Sequence, residues 1–241
     1  MALDPLTQFK VKQIMSIEVG GIDLSFTNSA LFMVIGAVIT IGFMTIGMNR
    51  RALVPGRWQA AAEILYEFIA NMLREQTGAK GREYFPFIFT IFMVVLMGNI
   101  LGMIPYSFTY TSQIIVTFTL AMVVFIAVTI IGFMRHGLHY LSLFAPSGVP
   151  APLLILIVPI EVIAYLSRPV SLSVRLFANM LAGHMILKIF AAFTVILGVF
   201  GIGPLALNVA LTAFEFLIAF IQAYVFAVLT CVYLKDAVEL H

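Results

Sequence analysis

Apolar residues in this chain come in long blocks separated by short polar stretches. A helix needs about 20 residues to cross the ~30 Å hydrocarbon layer of a bilayer. Three blocks fit that length: Ser29–Met48, Phe85–Ile104 (interrupted only by Asn99) and Ile114–Met134. The basic pair Arg50–Arg51, Pro105 and Arg135 close them in turn. Two longer blocks follow, Pro152–Leu197 and Leu205–Val238, split by the glycine- and proline-rich Gly198–Pro204, which reads as a tight turn between antiparallel helices. Between the first two spans, over residues 57–72, Trp58, Ala61, Ala62, Leu65, Ile69 and Met72 recur at helical spacing, with Gln59, Glu63, Tyr66, Glu67 and Arg74 opposite. That pattern predicts an amphipathic helix lying on the membrane surface; the alternative is a helix facing water and packed on a partner.

The pattern therefore predicts an all-α integral membrane protein organised as a single domain over 1–241. Residues 1–28 form an external N-terminal segment, followed by five membrane-embedded helices and one surface helix. The last two helices are too long to cross perpendicularly. The 152–197 stretch would reach about 69 Å at 1.5 Å per residue, and 205–238 about 51 Å. A strongly tilted helical hairpin explains both lengths at once. The alternative breaks the fourth stretch into two spans near Arg168–Pro169, which places Lys235 outside.

Composition agrees with this reading. Hydrophobic residues make up 62% of the chain and charged residues only 10%, against about 25% charged in a water-soluble domain. The first 28 residues carry three acids and two lysines, a poor secretory signal. A single cysteine, Cys231, excludes an intrachain disulfide. Counted by loop, Arg50, Arg51, Arg57, Arg74, Lys80, Arg82, Arg135 and Lys235 fall on one side of the membrane, and Lys10 and Lys12 on the other. The positive-inside rule then puts the N-terminus outside and the C-terminus in the cytoplasm.

Within the long hairpin the polar residues are ordered. Glu161, Arg168 and Arg175 are spaced by seven and share a helix face, with Asn179 one turn beyond Arg175. Asn208, Glu215 and Gln222 repeat the same spacing on the last helix. One antiparallel register opposes Arg175 to Gln222, His184 to Glu215 and Glu161 to Asp236. Arg175 is the most informative of these. A guanidinium inside a bilayer costs at least ~2.5 kcal/mol, and it cannot shed its proton to escape that cost. A fixed positive charge at mid-membrane points to ion translocation. Plainer readings exist for the others: Asn99, Asn179 and Asn208 as interhelical hydrogen-bond donors, Arg168 snorkelling to headgroups, and His184–Glu215 as a structural bridge.

The segments Val54–Glu63 (VPGRWQAAAE), Gly98–Pro105 (GNILGMIP), Ile160–Pro169 (IEVIAYLSRP), Pro169–His184 (PVSLSVRLFANMLAGH) and Ile221–Leu234 (IQAYVFAVLTCVYL) together resemble subunit a of F-type ATP synthases, in the same order along the chain. The resemblance implies a proton-translocating stator subunit of the Fo sector in a bacterial inner membrane, with the mitochondrial inner membrane as the alternative. Its partners would be the c-subunit ring, b-type peripheral-stalk subunits, the remainder of the synthase and membrane lipid, and no nucleic acid. Arg175 matches the family's essential arginine, Asn179 and Gln222 its neighbouring polar positions, and Glu161 a carboxylate at the cytoplasmic side. His184 and Glu215 carry the family's acid and imidazole in exchanged order. Asn208, Lys188 and Ser171 are accessory candidates. No cofactor is implied, and no catalytic role.

Other classes fit less well. A secondary transporter would show two repeated halves with broken helices. A membrane enzyme would need a nucleophile or metal constellation, and His136 and His139 have no matching acid. A GxxxxGK[ST] phosphate loop is missing from the sequence, so any nucleotide chemistry belongs to another subunit. Proton and sodium coupling both remain open.

Overall fold

The computed structural model describes residues 9–16, 18, 19, 22, 23, 25–49, 54–104, 107–144 and 150–239. Arg50, Arg51 and Pro105, expected to close the first two spans, lie outside the described residues. Six helices follow one another: α1 Asn28–Asn49, α2 Arg57–Thr77, α3 Phe85–Gly102, α4 Ile114–His136, α5 Ala151–Ile196 and α6 Ile202–Val238. All but α2 are long and apolar enough to cross a membrane. Ahead of them, four short strands fold the N-terminal segment back on itself. β1 (Gln13–Met15) pairs with β4 (Phe26–Thr27), and β2 (Glu18–Val19) with β3 (Ile22–Asp23), both antiparallel.

α5 is continuous over 46 residues despite Pro159 and Pro169 in its interior. Each proline removes one helical N–H, so the carbonyls of Ile155 and Tyr165 lose their regular donor. The break near Arg168–Pro169 does not occur, and α5 and α6 pack against each other as one long hairpin. α5 ends at Ile196, and two residues on, Gly198, with a φ of 54°, reverses the chain. α6 begins earlier than the turn residues imply, at Ile202, with Pro204 in its first turn. A proline is tolerated there because the first N–H groups of a helix have no intrahelical partner.

Lipid offers no hydrophobic driving force between helices, so close packing must hold the bundle. α6 supplies it with a small-residue face: Ala219, Ala223, Ala227 and Cys231 are one turn apart and fully buried. That face lets α6 approach α3, where Ile88, Phe92 and Val95 are also fully buried, and the Asn99 amide donates to the Ala219 carbonyl at 3.1 Å. α4 presents Thr117, Ala121, Val124 and Val128 to the core on the same principle. In these apolar surroundings hydroxyls bond back to their own helices, as Thr40 does to the Gly36 carbonyl and Thr119 to that of Ile115, both at 2.8 Å.

α2 is amphipathic and packs on α1, α3 and α6. Ala62, Ile69 and Met72 are buried as their spacing predicts, and Leu73 joins them. Trp58, expected on the same face, is 67% exposed, with its ring roughly perpendicular to that of Phe43. Tyr66, expected on the polar face, instead lays its ring 4.5 Å from that of Phe85. The start of the helix is exposed, whereas its last residue, Thr77, is buried.

Candidate functional site

The polar residues of the hairpin gather at three levels along α5 and α6. Nearest the α5–α6 turn, His184 and Glu215 face each other, with imidazole Nδ1 3.7 Å from carboxylate Oε1. Both side chains are buried, and neither Glu215 oxygen has a hydrogen-bond partner among the described residues. Gly183 makes this approach possible. A Cβ there would collide with the Glu215 carboxylate, so only glycine leaves room for the acid against α5. On the other side of the ring, Nε2 lies 3.2 Å from the Thr109 hydroxyl.

A cavity of about 950 Å³ opens beside His184, lined by Lys10, Lys12, Ser107, Lys188, Asn208 and Thr212 among others. It is many times the ~30 Å³ that one water occupies. The N-terminal segment forms part of its wall. The Asn28 side chain accepts from the Lys12 N–H at 3.1 Å and donates to the Lys10 carbonyl at 3.3 Å. Gln113 donates to the Phe9 carbonyl at 2.8 Å, bringing the Phe9 ring to 6.3 Å from that of His184 and 6.0 Å from the Lys188 ammonium. Asn208 turns its carbonyl oxygen into the protein, where it is buried without a partner among the described residues.

At the middle level Arg175 is exposed on α5. Among the described residues it makes no hydrogen bond or ion pair. Its expected opposite, Gln222, is engaged elsewhere: the Asn179 amide donates to Gln222 Oε1 at 2.7 Å. Large apolar side chains flank Arg175 on the same open face, including Val170, Val174, Leu217 and Ile221. Ser171, Ala178, Ala210 and Ala213 are exposed there too, so the face has low points between its ridges.

At the third level, nearest the C-terminus, the expected opposition of Glu161 and Asp236 gives way to a different pair. Asp236 holds Arg168 at 2.9 Å, and the guanidinium lies 5.2 Å from the Tyr165 ring and 4.9 Å from that of Tyr233. Arg168 is therefore anchored to α6 by Asp236 while its side chain stays about a quarter exposed. The three contacts along the hairpin do not hold a constant-sum register, and the long arginine side chain reaches the acid in place of Glu161. Glu161 stays exposed on α5, with no hydrogen bond or ion pair among the described residues. Tyr165 also bonds Thr129 at 2.5 Å and Tyr140 at 3.2 Å, fixing this level to α4 and the turn after it.

Thr109, Gly183 and the Phe9–Lys12 wall escape sequence reasoning. Thr109 and Phe9 lie in connections, where helical spacing carries no information. Gly183 does leave a signal, since a glycine next to a polar residue inside a span calls for a close approach.

A family model described as ATP synthase A chain matches residues 30–235 of this chain. Proteins named ATP synthase subunit a are similar to it over nearly its whole length. That of Agrobacterium fabrum is 58% identical, with 99% of each chain covered. That of Rhizobium etli (strain CIAT 652) is 57% identical, covering 99% of this chain and 98% of its own. That of Paramagnetospirillum magneticum is 53% identical, with 99% of each covered. With a long α5–α6 hairpin carrying the polar residues and this match over nearly its whole length, the chain belongs to the ATP synthase A chain family.

Proposed function

We propose that this chain is the proton-translocating stator subunit of an F-type ATP synthase, presenting the open face of its α5–α6 hairpin to a rotating ring of c subunits. One observation carries the reading: Arg175 stands exposed and unpaired among the described residues, in the middle of an apolar helix face. Its charge is permanent. A neighbour that brings a carboxylate to it offsets the cost of holding that charge in lipid. A ring carboxylate is such a neighbour, because it travels through lipid only when protonated and must give up its proton to meet Arg175.

Two access routes flank the arginine in this reading. One descends from the Lys10–Lys12 cavity to the His184–Glu215 pair on the outer side. The other reaches Glu161 on the cytoplasmic side, with Ser171, Asn179 and Gln222 lining the way between. Arg175 separates the routes: it pairs with the ionised ring carboxylate and repels a hydronium moving directly from one to the other. Each proton crossing 100 mV releases about 2.3 kcal/mol, which the ring converts to rotation. The N-terminus lies outside and the C-terminus in the cytoplasm of a bacterial inner membrane. b-type stalk subunits hold the chain still, and ATP chemistry resides on other subunits.

The test is ATP-driven proton pumping by inverted membrane vesicles. Arg175→Ala abolishes pumping while the subunit still inserts and assembles. Arg175→Lys is severely impaired, because an ammonium lacks the guanidinium fork and can lose its proton. Normal pumping by either variant would falsify the reading.

A further inference from the structure

We propose that Thr109 is a positioning residue for the His184 imidazole, deciding which ring nitrogen faces Glu215. The inference rests on the reading of His184 and Glu215 as the relay of one half-channel. Thr109 lies in the connection between α3 and α4, so it reaches the pair from an element that supplies neither member. It is buried, and its hydroxyl oxygen sits between two groups: the Gly102 carbonyl, to which it donates at 3.3 Å, and His184 Nε2 at 3.2 Å. On the opposite edge of the ring, Nδ1 faces Glu215. The imidazole is therefore held at both edges by different elements.

The chemistry of the hydroxyl sets the consequence. It has one proton to give and lone pairs to accept with. While its proton goes to the Gly102 carbonyl, its oxygen accepts from Nε2, which must then carry a hydrogen. In the neutral ring Nδ1 is left as an acceptor toward Glu215; in the imidazolium it is a second donor. Either way, the proton exchanged with the acid is the one on Nδ1. Rotation of an imidazole about its Cβ–Cγ bond is broad and roughly two-fold, so without the hydroxyl only the 3.7 Å contact with Glu215 is left to select this orientation.

The surrounding backbone is built to bring the hydroxyl there. At Gly102 a Cβ would stand 2.5 Å from the Thr109 hydroxyl oxygen, so any larger residue would push it away. Ser112 fixes Thr109 from the other side, its hydroxyl donating to the Thr109 carbonyl at 2.6 Å and its N–H at 3.1 Å. The charged groups that face His184 are Glu215 from α6, Lys188 from α5, and Lys10 and Lys12 across the cavity. Among its described residues, the α3–α4 connection brings only neutral side chains.

The experiment measures ATP-driven pumping by the whole complex in inverted vesicles across a range of pH, normalised to assembled subunit. Thr109→Val keeps the shape and removes the hydroxyl, while Thr109→Ser keeps the hydroxyl. Loss of one hydrogen bond predicts that Thr109→Val slows pumping about threefold to tenfold and moves the pH of half-maximal rate. Thr109→Ser stays close to the unaltered chain. Gly102→Ala, which displaces the hydroxyl without removing it, reproduces the Thr109→Val profile. Added to His184→Ala, Thr109→Val lowers the residual rate no further. The proposal fails if Thr109→Val matches the unaltered chain, if Thr109→Ser is as impaired as Thr109→Val, or if Thr109→Val costs as much with His184→Ala as alone. Normal pumping by His184→Ala overturns the relay reading and this inference with it. An impaired His184→Ala beside an unaffected Thr109→Val overturns only the inference.

Discussion

Toward either end of the α5–α6 hairpin an α6 carboxylate meets an α5 base, but the two pairs differ in chemistry and geometry. Near the turn, Glu215 meets an imidazole at 3.7 Å, with its oxygens otherwise unbonded among the described residues and a polar cavity alongside. Near the C-terminus, Asp236 meets a guanidinium at 2.9 Å, held between two tyrosine rings. An imidazole exchanges protons near neutral pH, and a guanidinium never does. The first pair therefore fits the exchange site proposed above, and the second fits a clamp. A carboxylate inside a span does not announce its role by itself. The base it meets, and how closely, decides it.

The contrast breaks most visibly at the turn end. Glu215→Gln keeps the shape and removes the exchangeable proton, and pumping should fall about tenfold or more, the scale of lost acid–base participation. Exchanging the two residues, His184→Glu with Glu215→His, should recover more activity than either single change, because each single change leaves two like groups facing one another. A double variant no better than the worse single one would show that the residues do not act as a pair.

Next in size is Gly183→Ala. Its methyl would strike the Glu215 carboxylate, and pumping should drop several-fold. Adding Glu215→Asp, which draws the acid back by one methylene, should restore part of the loss. No effect of Gly183→Ala would mean that the acid has room to move away from α5.

The clamp should yield a smaller effect, and in a different measurement. Both side chains of the Arg168–Asp236 pair are about a quarter to a third exposed, so Asp236→Ala should cost roughly 1 kcal/mol of stability. That appears as a lower melting temperature of the detergent-solubilised complex, with pumping reduced less than by Glu215→Gln. The reversal Arg168→Asp with Asp236→Arg should regain part of the melting temperature. If Asp236→Ala stopped pumping and left melting unchanged, the two ends would be alike and the contrast would be lost.

The smallest change is expected midway between them. Asn179→Ala removes its hydrogen bond to Gln222, typically worth about 0.6 kcal/mol within a membrane. Melting should shift only slightly, and a collapse of the complex would mean that this bond carries the packing of the hairpin.

The sequence by itself determined the spans, the surface helix and the place of Arg175, because these depend on local quantities. Bilayer thickness sets the length of an apolar block, and helical periodicity puts residues seven apart on one face. Both hold whatever the rest of the chain does. Only the tertiary structure decided who meets whom. Between the His184–Glu215 and Arg168–Asp236 contacts, α5 runs from 184 to 168 while α6 runs from 215 to 236, so the register drifts along the hairpin. That drift gave Asp236 to Arg168 instead of Glu161, and Gln222 to Asn179 instead of Arg175. Thr109 and Phe9 reached His184 from connections, where no periodicity constrains a side chain and only the packing of α3, α4 and the N-terminal segment places it.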